Sequence, residues 1–186
     1  MASRLQPSSF PYTVASRPAV GRREVAPLDL GPMAEASTSA ANPALSQLNF
    51  LVGEWRTELS NAEFLPDRSE TLRGHTSFRW VDDGAFLAMR QSETPSGPPQ
   101  AVWIIGRDQV QGHYEVLYFD RRPMSRIYHM SFDGTVWRMW REAPGFWQRF
   151  ECTVSEDKRM VSGYWEKSTD NGATWKRDFD IRYVRD

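Results

Sequence analysis

The histidine and cysteine residues that could act as metal ligands or nucleophiles are few in this sequence and lie far apart. The three histidines, His75, His113 and His129, fall in separate segments without the short spacing typical of metal-ligand motifs. The single cysteine, Cys152, alternates with apolar residues, as on a buried strand face, where a thiol behaves as a small apolar group. We therefore expect no metal site and no cysteine nucleophile, and the sequence identifies no catalytic residue.

Carboxylates are candidates for acid–base chemistry when one of them lies in an apolar pocket that raises its pKa. Asp178 and Asp180 alternate with Phe179 and Ile181. The period of two therefore predicts that both carboxylates face solvent. The same argument leaves open which way Glu166 faces.

Arginine and tyrosine offer the chemistry for holding a small molecule, since Arg126 and Arg141 could meet an anionic group. Gln148 shares a strand face with apolar residues, so it indicates either an internal polar network or a ligand that satisfies it. The predicted ligand-binding residues are Arg126, Tyr128, Met130, Trp137, Met139, Arg141, Gln148 and Tyr183.

Strands must position these side chains, because turn residues interrupt alternating segments about every 10 to 15 positions, as in a sandwich or a barrel. No segment after residue 53 has a helical period long enough for a crossover helix, so the sheet is predicted to be antiparallel and all-β. The predicted strands are 53–60, 71–80, 85–93, 101–108, 114–120, 125–132, 135–142, 146–154, 159–168 and 174–185.

Asp133-Gly134 is a two-residue hairpin signal, which would place Phe132 opposite Thr135. The same register would place Met130 opposite Trp137 and Tyr128 opposite Met139, all on an inner face. Arg126 and Arg141 would then lie at one end of that face, and His129 would face outward.

A short helix is predicted before the strands. Asn42 suits an N-cap and Pro43 the first helical position, and Leu45, Leu48 and Leu51 recur every three residues. Such a short helix must pack against an apolar surface to be stable.

Residues 1–41 are rich in Ala, Ser and Pro without periodicity, so we expect a disordered tail before a single domain at 42–186. Residues 1–23 carry arginines and no acidic residue, a composition typical of an organelle transit peptide. The alternative is an overextended reading frame with its true start at Met33.

Composition argues against several partners. The net charge is -1 with both signs interspersed, so we expect no binding to nucleic acid or to an anionic membrane. No apolar run approaches the roughly 18 residues of a membrane span. The one cysteine excludes an intramolecular disulfide and suits a reducing compartment, so we expect a soluble, cytoplasmic protein.

Leu48, Leu51, Gly53 and Trp55 match the Leu-x-x-Leu-x-Gly-x-Trp opening of lipocalin-like domains. Residues 141–150, 163–168 and 178–185 are similar to a bacterial lipocalin-like family with no settled activity. The resemblance implies an up-and-down barrel of about ten strands, with the helix closing one end and a late arginine, Arg182 or Arg185, stacked on Trp55.

Nitrobindins, which have a similar shape, bind haem through a histidine near the C-terminus. The last strand of this sequence offers Asp178, Asp180 and Tyr183 instead. We therefore expect no haem and no other cofactor.

Residues 168–175 resemble the Asp-box of sialidase propellers, with Ser168, Asp170, Gly172, Thr174 and Trp175 in place. In that motif the Ser and Asp side chains fix a hairpin loop and the Trp packs beneath it, so its role is architectural.

Three functions remain open. The first is a carrier of a small hydrophobic or aromatic molecule, with an anionic end met by Arg126 or Arg141. The second is a barrel enzyme of the cyclase or isomerase type that uses Tyr128, Tyr183 or Glu166. The third is a structural or dimerisation role through exposed Trp140 and Trp147, since large aromatic residues favour interfaces.

Overall fold

The protein is a closed antiparallel β-barrel. The computed structural model describes residues 42–107, 110, 112–122 and 124–185, so the predicted tail and its targeting and start-site alternatives lie outside the described residues. Strands follow one another around the barrel, and the first pairs with the last, which confirms the predicted all-β, up-and-down topology. The strands are β1 (Gly53–Ser60), β2 (Leu72–Val81), β3 (Phe86–Ser92), β4 (Pro99–Arg107), β5 (Tyr114–Asp120), β6 (Met124–Phe132), β7 (Val136–Arg141), β8 (Trp147–Val154), β9 (Met160–Ser168) and β10 (Lys176–Arg185).

Alternation along each strand separates the barrel interior from the outer wall. In β8, Gln148, Phe150, Cys152 and Val154 are buried, and the residues between them are more exposed. Cys152 is therefore interior, as predicted, and burial raises the pKa of its thiol.

Aromatic rings fill the middle of the barrel. Trp137, on β7, is fully buried, and its ring centroid lies 6.3 Å from that of Phe78, 6.1 Å from that of Trp103, 5.0 Å from that of Phe150 and 6.3 Å from that of Tyr183. These neighbours come from four different strands around the barrel. Trp137 therefore occupies the lumen.

The N-terminal helix is a 3-10 helix, Pro43–Leu51, and it packs over one end of the barrel. Its buried residues are Leu45, Leu48 and Leu51, and their spacing of three is the repeat of a 3-10 helix. The side chain of Asn42 accepts a hydrogen bond from the Ala44 amide at 3.0 Å, as predicted for the N-cap. No helix among the described residues is long and apolar enough to cross a membrane.

Trp55 and Arg185 fasten the strands to this helix. The Trp55 indole donates a hydrogen bond to the Leu51 carbonyl at 2.7 Å. The Arg185 guanidinium lies 4.5 Å from the centroid of the Trp55 ring and donates to the Val52 carbonyl at 3.1 Å. Arg185 rather than Arg182 therefore stacks on Trp55, since Arg182 faces outward beside solvent.

The β6–β7 hairpin turns one residue later than predicted. The Asp133 carboxylate accepts hydrogen bonds from the amides of Thr135 and Val136, at 3.0 and 2.7 Å, and the Asp133 amide donates to the Val136 carbonyl. Gly134, with φ of 102°, and Thr135 therefore form the tip of the turn. The observed pairs include Phe132 with Trp137, Met130 with Met139, and His129 with Trp140.

The predicted pairing of this hairpin is thus wrong by two residues, but a shift of two leaves every side chain on its predicted face. Tyr128, Met130, Trp137 and Met139 are buried. His129 lies on the outer wall, as expected from the alternation.

The loop between β9 and β10 is fixed by its own side chains. Ser168 Oγ donates to Asp170 at 2.6 Å and accepts from the Gly172 amide at 2.9 Å. Asp170 also accepts from the Thr174 amide and hydroxyl, at 2.9 and 2.6 Å. Hydrogen bonds from Ser168 and then Thr174 lower the pKa of Asp170 to about 2. These bonds give the loop the architectural role that its sequence predicts.

Trp147 packs against this loop. A Cβ at Gly172 would lie 2.8 Å from the Trp147 ring, so only glycine fits there. Trp175 is instead covered by Arg149, whose guanidinium lies 4.2 Å from the ring centroid. Trp140 and Trp147 are both partly buried, so the expectation that they are exposed is wrong.

Candidate ligand-binding site

The barrel wall has a gap between β6 and β7, at the end away from the 3-10 helix. The β6–β7 ladder ends at the His129–Trp140 pair, although β6 begins at Met124. Residues 125–128 therefore pair with β5 alone. The gap forms part of a groove of about 710 Å³, which we call the β6–β7 notch. The notch is lined by Leu117, Phe119, Ser125, Arg126, Ile127, His129, Trp140, Arg141 and Glu142.

Five side chains form a continuous hydrogen-bonded series from the notch into the barrel, which we call the polar chain. Arg126 Nη1 donates to Gln148 Oε1 at 3.2 Å and to Tyr128 Oη at 3.3 Å, and Tyr128 Oη donates to the same Gln148 oxygen at 2.6 Å. Gln148 Nε2 donates to Asp178 Oδ2 at 3.0 Å, and Asp178 Oδ1 lies 3.1 Å from Lys167 Nζ. Gln148 is thus satisfied by an internal network, which was one of its two predicted alternatives.

Asp178 belongs to the polar chain because β10 is bulged. The Arg177–Glu166 and Phe179–Trp165 pairs leave Asp178 as an extra residue, and its side chain turns inward. Asp178 is 7% exposed, so the prediction that it faces solvent is wrong. Asp180, beyond the bulge, is partly exposed and lies 3.2 Å from Arg177.

The charges at the far end of the polar chain are paired. Lys167 Nζ lies 2.7 Å from Glu63 Oε2, and this hydrogen bond raises the pKa of Lys167 and lowers that of Glu63. Burial raises the pKa of Tyr128, and the hydrogen bond and charge of Arg126 partly oppose that rise. Tyr128 therefore keeps its proton at neutral pH and acts as a hydrogen-bond donor rather than as a base.

The notch is lined by two arginines, Arg126 and Arg141, and by one carboxylate, Glu142. The Arg126 guanidinium lies 4.9 Å from the Phe146 ring centroid and 6.0 Å from that of Tyr118, and it donates hydrogen bonds to neutral side chains. Arg141 Nη1 donates to the Phe146 carbonyl at 3.1 Å. Within the described part of the chain, neither guanidinium has a carboxylate as an ion-pair partner. Both arginines can therefore receive an anion at the notch.

The outer part of the notch is apolar. Leu117, Phe119 and Ile127 are 44%, 45% and 56% exposed, and partly buried Trp140 lies beside them. Large apolar side chains that line one groove are typical of binding surfaces, while scattered ones carry no such meaning. The notch thus combines an apolar wall with a cationic end.

Residues 42–142 match a family described as a protein of unknown function (DUF1579). The chain belongs to the DUF1579 family. The matched residues span the 3-10 helix and β1 to β7, so they include all nine residues that line the notch. Gln148, Lys167 and Asp178 lie beyond the matched part of this DUF1579 chain.

The solved structures include a similar chain, Rv2717c from M. tuberculosis, which is 15% identical with a TM-score of 0.48 and is matched over 78% of this chain and 99% of that chain. None of the curated proteins matches this DUF1579 chain.

The eight predicted ligand-binding residues of this DUF1579 protein fall into two groups. The first group lies at the notch or in the polar chain and consists of Arg126, Tyr128, Arg141 and Gln148. The second group lies in the filled core and consists of Met130, Trp137, Met139 and Tyr183. A ligand could contact the second group only if the core opened, because each of these side chains is at most 2% exposed.

The structure does not bring the three residues considered for catalysis together. Glu166 lies towards the outer wall, where its carboxylate accepts from Arg149 Nε at 2.7 Å. Tyr183 is buried in the core, and burial raises the pKa of its hydroxyl. Tyr128 alone reaches the polar chain.

His113 and His129 are side by side, which corrects the expectation that the histidines are separate. Their ring centroids are 4.7 Å apart, and the carboxylate of Glu115, on β5, lies within 3.5 Å of a nitrogen of each ring. Glu115 and His129 are direct cross-strand partners of the β5–β6 hairpin. They lie the same number of residues on either side of Arg122, so pairing β5 with β6 in the sequence would have brought them together.

Proposed function

We propose that this protein binds a small organic anion with an apolar or aromatic body at the β6–β7 notch, in the barrel wall rather than in the lumen. The observation that carries the proposal is the pair of guanidinium groups, Arg126 and Arg141, that have no carboxylate partner in the described structure and adjoin an apolar wall. The lipocalin-like opening motif and the stacking of Arg185 on Trp55 support a barrel of the lipocalin-like class.

The ligand's anionic group lies at Arg126 and Arg141, where charge-assisted hydrogen bonds are available in the planar geometry that carboxylates and sulfonates accept. Tyr128 and Gln148 support this end by holding the Arg126 guanidinium in place. A preorganised guanidinium loses less side-chain entropy on binding than a free one.

The apolar body of the ligand lies against Leu117, Phe119, Ile127 and Trp140. These side chains come from three neighbouring strands on the outer wall, so they form one continuous surface. Each Å² of apolar surface removed from water contributes about 25 cal/mol, so an aromatic body binds more tightly than a short aliphatic one.

The binding test is a fluorescence titration with 8-anilinonaphthalene-1-sulfonate, compared with its uncharged analogue N-phenyl-1-naphthylamine. Arg126→Ala and Arg141→Ala should each weaken sulfonate binding by about tenfold, since a hydrogen bond to a charged group is worth about 1.5 kcal/mol or more. Binding of the uncharged analogue should change little in either variant, because it has no anionic group.

Arg73→Ala is the matched control, since Arg73 is a surface arginine on β2 whose charge is paired with Glu58 at 3.6 Å. It should leave both affinities unchanged. Equal sulfonate binding in all three variants would overturn the proposal. Native mass spectrometry of freshly purified protein adds a second readout, in which a co-purifying anion is retained by Arg73→Ala and lost from Arg141→Ala.

A further inference from the structure

We infer that His113, Glu115 and His129 form a binding site for a divalent transition-metal ion of the zinc type on the outer wall of the barrel. One ligand atom from each residue lies within 4.8 Å of the other two. His129 also lines the notch, but the proposal does not rest on anion binding there, because neither Arg126 nor Arg141 takes part in the metal site.

The strands hold the three residues in place. Glu115 and His129 face each other across the β5–β6 ladder, and His113 directly precedes β5. The two imidazole rings are nearly perpendicular, at 86°, and the Trp140 ring flanks both, with its centroid 5.7 Å from that of His129 and 6.2 Å from that of His113. The rings are thus packed by their neighbours rather than free on the surface.

Two imidazole nitrogens lie close to the same carboxylate oxygen without hydrogen-bonding to it. Glu115 Oε1 lies 3.5 Å from His113 Nε2 and 3.4 Å from His129 Nδ1. Both nitrogens are shielded from solvent and have no hydrogen-bond partner in the described structure. A shielded polar atom without a partner costs free energy, so the arrangement is explained if a bound cation accepts both lone pairs.

Two of the three separations between the ligand atoms match those around a metal ion, and all three are within 4.8 Å. Zinc binds imidazole nitrogen and carboxylate oxygen at about 2.0–2.2 Å in tetrahedral geometry, which places neighbouring ligand atoms about 3.3 Å apart. The two observed nitrogen–oxygen separations, 3.4 and 3.5 Å, are close to this value. Two histidines and a carboxylate are also a donor set that zinc and its neighbours in the first transition row accept.

Three protein ligands leave a fourth position for water or an anion. The Glu115 and His129 side chains are 37% and 42% exposed, so the site lies at the surface of the barrel although its two ligand nitrogens are shielded. A hard cation such as Mg²⁺ or Ca²⁺ is disfavoured, because those ions bind oxygen ligands rather than imidazole.

Isothermal titration of the chelator-treated full chain with ZnCl₂ tests the site. We expect one Zn²⁺ per chain, with His113→Ala, His129→Ala and Glu115→Gln each weakening the affinity at least about tenfold, since even loss of a second-shell partner costs that much. His75→Ala is the control, because His75 is the remaining histidine and lies on β2 beside Glu54. It should bind Zn²⁺ like the unaltered chain.

Two results would overturn the proposal. One is a dissociation constant for Zn²⁺ that is millimolar or weaker in the unaltered chain. The other is a loss of Zn²⁺ affinity in His75→Ala that equals the loss in His113→Ala. Glu115→Gln keeps the size of the side chain, so circular dichroism of this variant shows that a lost affinity is not a lost fold. Co²⁺ titration followed by visible absorption gives an independent readout, and its spectrum should change in His129→Ala and stay unchanged in His75→Ala.

Discussion

Gln148 connects the two halves of the polar chain, since one end of its amide accepts from Tyr128 and Arg126 and the other donates to Asp178. Gln148→Leu nearly keeps the volume of the side chain and removes both the carbonyl oxygen and the NH₂ group of its amide. The Tyr128 hydroxyl and the Asp178 carboxylate then each lose a hydrogen bond. We expect a loss of about 2–4 kcal/mol in the free energy of unfolding, measured by urea denaturation, because each unsatisfied buried group costs about 1–3 kcal/mol.

A double-mutant cycle separates this effect from simple loss of packing. Tyr128→Phe should destabilise the unaltered chain and have a smaller effect in Gln148→Leu, where the hydroxyl has already lost its acceptor. Gln100→Leu is the surface control, because the Gln100 side chain, near the start of β4, bonds at the surface, where it donates to Glu93 at 2.8 Å and accepts from Arg121 at 3.3 Å. If the stability losses of Tyr128→Phe and Gln148→Leu are additive, the two side chains do not interact and the polar chain is not continuous.

The sequence predicts Gln148 on an interior face but does not reveal its partner. The period-two argument gives the wrong facing for Asp178 because a bulge adds one residue to β10. The alternating pattern of the sequence continues through the bulge, so the sequence does not reveal it. The sequence also does not predict that Lys167 belongs to the polar chain, because its contact with Asp178 depends on the position of Asp178 across the β9–β10 pair. Side-chain facing is thus predictable where a strand is regular and not where its register shifts.

At the scale of elements, the β9–β10 loop depends on the ionised carboxylate of Asp170. Its folded pKa, about 2, lies below the ordinary 3.8, so its stabilisation is present above the ordinary value and is lost as pH falls through the folded value. Asp170→Asn should therefore lower the urea midpoint at pH 7, and its difference from the unaltered chain should shrink between about pH 4 and pH 2.

Thr169→Ala provides the comparison for this loop, because Thr169 is an exposed neighbour that does not titrate. Its effect on the urea midpoint should be the same at each pH. A pH-independent effect of Asp170→Asn would show that the loop is held by the Ser168 and Thr174 contacts irrespective of charge.

Most elements of the barrel are predictable from the chain, because turn residues separate the alternating segments and the leucine spacing marks the 3-10 helix. The β6–β7 notch is not, since it arises from the end of a ladder between strands of unequal length, which alternation does not encode. The turn at Asp133 shows the same limit. Its carboxylate accepts hydrogen bonds from two backbone amides, and the register differs by two residues from the one predicted. The dipeptide Asp133-Gly134 is nevertheless a good hairpin signal.

At the scale of the whole molecule, the filled lumen decides where a ligand can bind. Trp137 contacts rings from β2, β4, β8 and β10, so removing it opens space across the barrel. Trp137→Ala should cost about 3–5 kcal/mol of stability, measured by urea denaturation. Trp137→Phe should cost much less, because it keeps a ring and removes an indole N–H that is buried without a hydrogen-bond partner in the described structure.

The phenylalanine variant then distinguishes a ligand held in the wall from one held in the lumen. Binding at the notch uses Arg126, Arg141 and the outer wall, so the naphthalene sulfonate should bind Trp137→Phe within about twofold of its affinity for the unaltered chain, a difference below 0.5 kcal/mol. A lumen ligand would instead occupy the space beside Trp137, and exchanging the indole for a smaller ring would change its affinity severalfold. If the affinity for the sulfonate changes severalfold in Trp137→Phe and does not change in Arg126→Ala, the ligand binds in the lumen and not at the notch.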